Sequence, residues 1–101
     1  MKELNDTKYY VLSNFFKVFG DDTRLRILVL LTKGKMCVGD IANKLNMTHS
    51  SISHQLKNLR IEDLVKIEKV GKEVYYSLSD SHIESILNVG IEHVCEVKVN
   101  E

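Results

Sequence analysis

The chain of 101 residues contains no proline or tryptophan, and none of its apolar runs approaches the roughly 20 residues that a membrane-spanning helix requires. Residues 1–6 lack the charged-then-apolar pattern of a secretory signal. Without such a signal, two cysteines, Cys37 and Cys95, indicate a reducing compartment, so we expect a cytoplasmic protein. The formal net charge is zero, which argues against a histone-like protein that coats nucleic acid.

The charges are nevertheless distributed unevenly along the chain. Residues 44–73 are mildly basic, whereas from Ser79 onward the acidic residues face a single base, Lys98. A chain of this length is expected to form one domain over residues 1–101. It can bury only about 60–65% of its unfolded surface, which favours oligomerisation.

Hydrophobic periodicity predicts a mainly α-helical fold with one β-hairpin. The second helix is apolar nearly all round, so we expect it to be the core helix of the domain. The predicted elements are helices over about 6–19 (α1), 22–32 (α2), 38–45 (α3) and 49–60 (α4), strands over 64–70 (β1) and 73–78 (β2), and a helix over about 80–97 (α5).

Residues 38–60 have the pattern of a helix-turn-helix, in which Thr48 caps a second helix with one apolar and one polar face. A capped amphipathic helix with a solvated face is the plainer interpretation. The hairpin over 64–78 favours the helix-turn-helix interpretation, because a helix-turn-helix followed by a basic-tipped hairpin is a winged helix. The predicted DNA-binding residues are Ser50, Ser51, Ser53, His54 and Gln55 for base edges, with Lys57, Lys69 and Lys72 for phosphate.

The last helix carries four candidate metal ligands at two ends. His82 and His93 lie about 16 Å apart along a helix axis, too far for one ion, yet within roughly 20° of the same face. A second copy running antiparallel would bring Asp80 and His82 of one chain beside His93 and Glu96 of the other. A dimer would then hold two sites, each with two nitrogen and two oxygen donors.

An apolar stripe on this helix is predicted to form the dimer seam, packed against the first helix. Gly90 lies in the middle of the stripe, where a glycine lowers helix stability by up to about 1 kcal/mol relative to alanine. A glycine at this position is explained if two helices approach closely there. The stripe consists of Ile83, Ile86, Leu87, Gly90, Val94 and Val97.

Four segments in this order, residues 19–28, 36–42, 50–59 and 71–78, resemble the ArsR/SmtB family of winged-helix repressors, most closely its zinc- and cobalt-sensing branch. The similarity runs from about Phe15 to Glu96. It implies a homodimer through α1 and α5 that binds double-stranded operator DNA of two-fold symmetry. It also implies that a bound metal ion releases the DNA.

The family has two well-marked metal sites, and this chain matches only one of them. The thiolate site needs a Cys-x-Cys pair, but here Gly39 stands at the position of the second cysteine. Cys37 is therefore expected to be a small buried residue of a vestigial site. The C-terminal site matches at Asp80, His82, His93 and Glu96. Its donors suit Zn(II), with Co(II) acceptable and Ni(II) in need of further ligands. Occupancy should fall below about pH 6, because both imidazoles must be neutral.

Three other functions compete with a metal sensor. A thiol- or redox-responsive winged-helix repressor would use Cys37 and Cys95. A DNA-binding protein that senses nothing would bind operator equally with and without metal. A zinc hydrolase is disfavoured, because a closed four-ligand site leaves no position for water and no His-Glu-x-x-His motif is present. The chain is therefore not expected to be an enzyme.

Overall fold

The structure is a computed structural model that describes residues 3–97, except for the side chain of Val97. The predicted order of five helices and one hairpin is confirmed, and no boundary differs from its predicted position by more than one residue. The elements are α1 (Asp6–Phe19), α2 (Asp22–Leu31), α3 (Val38–Leu45), α4 (His49–Ile61), β1 (Val65–Val70), β2 (Glu73–Leu78) and α5 (Ser81–Val97). Within residues 3–97, every helix is too short or too polar to cross a membrane.

Short polar side chains fix where three of the helices begin. Asn5 Oδ1 accepts the backbone N–H of Lys8 at 2.8 Å, and Asp21 Oδ2 accepts that of Arg24 at 2.9 Å. Thr48 Oγ1 accepts the N–H of Ser51 at 3.1 Å, as the sequence predicts. Each bond satisfies a donor that the first turn of a helix leaves free, which stabilises the helix by about 1 kcal/mol.

The core is built by α2 and α4, with contributions from α1, α3, β1 and α5. Its largest completely buried side chains are Ile27, Leu28, Ile41, Ile52, Leu56, Leu59, Leu64 and Val65. The prediction that α2 is the core helix is correct for one of its faces. On the other face Leu25 is 37% exposed, which shows that the described residues leave this face partly uncovered.

The wing is antiparallel, with Val70 opposite Glu73 across the turn at Gly71, whose φ of 64° favours glycine. Met36, between α2 and α3, adds an isolated bridge to Tyr76 through backbone hydrogen bonds of 3.0 and 2.8 Å. Tyr76 packs against the core, and Tyr75 lies under the Lys35 ammonium, 5.2 Å from the ring centre. Both tyrosines therefore have structural roles.

Candidate DNA interface and metal centre

The recognition helix α4 presents a polar face because its opposite face is locked into the core by Ile52, Leu56 and Leu59. At 100° per residue, the exposed α4 members of the predicted DNA-binding set fall within one sector of the helix, about 100° wide: Ser50, Ser53, His54 and Lys57. Ser51 and Gln55 are half-buried on its flank. An exposed row of short hydrogen-bonding groups is the shape that enters a major groove.

The turn between α3 and α4 fixes the angle of the recognition helix. Asn46 adopts a left-handed conformation (φ 55°, ψ 49°) at the end of α3, which asparagine tolerates better than most residues. The N–H of Met47 then returns to the carbonyl of Ala42 at 3.0 Å. The chain reverses within these two residues, and Thr48 caps the next helix at once.

The basic residues of the wing lie where the sequence predicts them. Lys69 is exposed near the end of β1, and Lys72 is exposed in the turn. Lys35 Nζ contacts Glu68 Oε2 at 3.2 Å and so offsets one acidic charge in the middle of β1. Lysine side chains at the tip of a wing are suited to contacts with phosphate.

The structure brings together the first half of the predicted metal site. Asp80 Oδ1 caps α5 by accepting the N–H groups of His82 at 2.9 Å and Ile83 at 3.2 Å. The same oxygen lies 3.6 Å from His82 Nδ1. The side chains of Asp80 and His82 are 52% and 87% exposed, so both are open to a ligand from outside the protomer.

The second half of the predicted site lies at the other end of the same helix. His93 and Glu96 are exposed in the last turns of α5. In residues 3–97, the side chains of His, Cys, Asp and Glu do not form any group of three that could hold a metal ion. One protomer thus carries two separate pairs of ligands, and their combination in a dimer stays a prediction.

The predicted dimer seam was partly wrong. Ile83 and Leu87 are 4% exposed because they pack into the protomer's own core, so they are not available to a partner. Ile86 is half-buried, Gly90 and Val94 are exposed, and the side chain of Val97 lies outside the described residues. The core reaches only the first half of the helix, so residues 88–96 of α5 are all exposed.

Sequence reasoning missed Val89, which is 67% exposed. It lies seven residues after His82 and four before His93, which places it on the same face as both histidines. That spacing was visible in the sequence. Val89 is thus an exposed apolar side chain between the two pairs of candidate ligands.

The two cysteines are free thiols on different elements. Cys37 is half-buried rather than buried, which corrects the prediction. It is the N-cap of α3, and its side chain makes no capping hydrogen bond. At the second position of the absent thiolate pair, a side chain on Gly39 would meet the His49 ring at 3.4 Å. Cys95 is exposed on the last turns of α5.

An apolar groove runs between α1, α2 and the second half of α5, with a volume of about 420 Å³. It contains the uncovered face of α2, and it continues onto the exposed aromatic side of α1, where Phe16 is 52% exposed. The groove is lined by Phe16, Phe19, Leu25, Val29, Ile86, Leu87, Gly90, Ile91, Val94 and Cys95.

Known proteins share this fold and sequence. Residues 21–66 match the family described as "Bacterial regulatory protein, arsR family". The CadC homolog of Staphylococcus aureus, a cadmium resistance transcriptional regulatory protein, is 37% identical over 87 residues, covering 85% of this chain and 72% of the relative. The chain belongs to the ArsR family.

Two further ArsR-like proteins extend the similarity. A transcriptional repressor SmtB homolog from Synechocystis sp. is 38% identical over 85 residues, which cover 84% of this chain. The matched part spans 64% of that relative, slightly less than two thirds of its length. The solution structure of apo-NmtR superposes with a TM-score of 0.83 and 29% identity over 100% of this chain and 85% of that one.

The resemblance to the ArsR/SmtB family drawn from four short segments is therefore confirmed. The protein is a winged-helix, DNA-binding transcriptional regulator of the repressor type, and its relatives are regulators rather than enzymes.

Proposed function

We propose that this ArsR-family protein is a metal-responsive repressor. A homodimer binds an operator of two-fold symmetry, and Zn(II) or a similar ion, bound between the two α5 helices, releases it. One observation carries the proposal: two pairs of metal ligands lie at opposite ends of one exposed face of α5, separated by Val89. The names of two relatives, a cadmium resistance regulator and an SmtB homolog, support a metal effector.

The geometry supports an antiparallel arrangement of the two helices. In such a pair, residues whose numbers add to about 175 face each other, so His82 of one copy lies opposite His93 of the second copy. By the same rule, the half-buried Ile86 meets the exposed Val89 at the centre. A small apolar contact would then separate two identical metal sites, as a two-fold axis requires.

The donor set indicates the class of metal ion. Two imidazole nitrogens and two carboxylate oxygens satisfy the four positions of tetrahedral Zn(II), and Co(II) accepts the same geometry. Ni(II) prefers more ligands than this set supplies. Large thiophilic ions are disfavoured, because neither Cys37 nor Cys95 belongs to either ligand pair.

The fold shows how metal and DNA binding would be linked. Ile83 and Leu87 anchor the first half of α5 in the core that also holds Leu56 and Leu59 of α4. Cross-linking the two α5 helices therefore fixes the relative positions of the two recognition helices. If the fixed form fits the operator poorly, metal lowers the operator affinity by its preference for that form.

Titration of the reduced protein with Co(II), followed by absorption, tests the proposal. We expect a ligand-field band of tetrahedral intensity that saturates at one ion per protomer and is lost in His93→Ala. His54→Ala, which removes a histidine from the recognition helix, is the matched control and should keep the band. A thiolate charge-transfer band that survives His93→Ala would instead support a sensor based on Cys37 and Cys95. Operator affinity that is equal with and without Zn(II) would contradict metal sensing altogether.

A further inference from the structure

We infer that Glu62 and Asp63, at the C-terminal end of the recognition helix, raise the affinity of the metal site for a divalent cation without being its ligands. The inference rests on the proposed function, because it concerns the site at Asp80 and His82. It assigns a role to two carboxylates that belong neither to the DNA-binding face nor to the ligand set.

Glu62 and Asp63 lie in the same groove as the first pair of candidate ligands. Glu62, Asp63, Asp80 and His82 line one groove, with a volume of about 610 Å³, between the start of α1, the turn after α4 and the start of α5. The remaining wall of this groove is mostly apolar, except for Lys8 and Thr7. The first ligand pair therefore opens into a groove that it shares with the end of α4.

The lining of this groove carries a net negative charge. Three carboxylates, on Glu62, Asp63 and Asp80, face one ammonium, that of Lys8, so the formal charge of the lining is −2 with His82 neutral. Within residues 3–97, neither Glu62 nor Asp63 takes part in an ion pair or a side-chain hydrogen bond. Glu62 also lines a neighbouring groove with Lys17 and Arg24, which offset part of its charge. The negative charge that remains attracts a cation into the groove.

The position of the two acids at the end of α4 is unfavourable for the isolated fold. The C-terminus of a helix carries a partial negative charge, and acidic side chains destabilise it there. Glu62 is the C-cap of α4, and Asp63 follows it in a left-handed conformation (φ 63°). A cation bound at Asp80 and His82 would relieve the repulsion at both residues. Metal occupancy would thereby stabilise the end of the helix that reads DNA.

The double variant Glu62→Gln/Asp63→Asn tests the inference, because both replacements remove charge and keep the shape. Asparagine also tolerates the left-handed conformation of residue 63. In the Co(II) titration we expect an unchanged band shape and stoichiometry, with the dissociation constant raised roughly three- to ten-fold at low ionic strength. The difference should shrink as salt screens the charges. The metal-free variant should unfold at a higher denaturant concentration than the parent, an effect opposite to that on metal affinity.

Two single variants serve as matched controls. Lys8→Gln removes the opposing charge from the same groove and should lower the dissociation constant. Glu73→Gln removes a carboxylate at the start of β2, outside the groove, and should change nothing in the metal titration.

Three outcomes would overturn the inference. An unchanged dissociation constant in the double variant at low salt would show that the two charges do not act on the ion. A changed ligand-field band would show that one of them is a ligand. If the parent protein gives no band that His93→Ala removes, the proposed metal site fails, and this inference fails with it.

Discussion

Asp80 Oδ1 lies 3.6 Å from His82 Nδ1 while it accepts the backbone N–H of His82 at 2.9 Å. The residue that caps α5 is thus also one of the proposed metal ligands. Folding of the first turn therefore pre-organises one ligand pair. His93 and Glu96 are exposed near the other end of the helix, where the protomer's core no longer reaches.

This division into two pairs predicts complementation between defective subunits. Asp80→Ala/His82→Ala and His93→Ala/Glu96→Ala should each abolish Co(II) binding, because every intersubunit site then lacks one pair. A mixed dimer of the two variants contains one intact site and one without ligands. After subunit exchange, the tetrahedral band should therefore return at up to one ion per mixed dimer.

Mixing either variant with itself under the same conditions is the control and should give no band. If either double variant alone retained full binding, the pair that it lacks would not belong to the site, and the proposed ligand set would be wrong. Failure of the mixture to recover any band, with mixed dimers demonstrated by mass spectrometry, would contradict an antiparallel arrangement of α5.

The sequence was sufficient to predict the order of the elements, because turn residues, caps and periodicity agree at each boundary. Thr48 is an example: its position before a run with apolar residues at 52, 56 and 59 predicts the cap that the structure shows. The positions of the candidate ligands were also predictable, since helical geometry alone places residues 82 and 93 on one face.

The lysines of the wing are predicted to contribute affinity without specificity. Lys69→Ala and Lys72→Ala should each weaken binding to all DNA sequences and reduce the slope of log affinity against log salt by about one. Ser53→Ala should instead change the preference among operator variants, with a loss of about 1–3 kcal/mol at the contacted base pair. Binding isotherms at several salt concentrations, with specific and random DNA, distinguish these effects. Lys17→Ala on α1 is the control for loss of charge.

Substitutions of two leucines in α2 distinguish the stability of the protomer fold from the stability of the dimer. Leu28 is completely buried, so Leu28→Ala should lower the free energy of unfolding by about 2–5 kcal/mol. Leu25 lines the apolar groove and is 37% exposed, so Leu25→Ala should change unfolding of the protomer far less. If a second copy covers this groove, Leu25→Ala should weaken the dimer measurably. Denaturant unfolding and sedimentation equilibrium measure the two effects, and equal losses of unfolding free energy would contradict this assignment.

Other features depended on contacts between distant segments and could not be predicted. Local periodicity shows that Ile83 and Leu87 share a stripe with Gly90. Only the packed structure shows that the core ends after Leu87 and does not reach Gly90. Similarly, Lys35 meets Glu68 across 33 positions of sequence, and the chain carries no local signal for that contact. The groove that joins Glu62 to His82 also forms only when α1, α4 and α5 have packed.

Gly90→Ala tests whether two α5 helices approach closely. Among the residues that the structure describes, a Cβ at residue 90 would have no neighbour within 4 Å, so alanine should stabilise the helix by up to about 1 kcal/mol. In a closely packed dimer the same methyl group would separate the helices and weaken both dimerisation and metal binding. Asn88→Ala is the matched control, because it also raises helix propensity but lies on a different face of the helix. A dimer that is equally stable in both variants would show that the helices do not meet at Gly90.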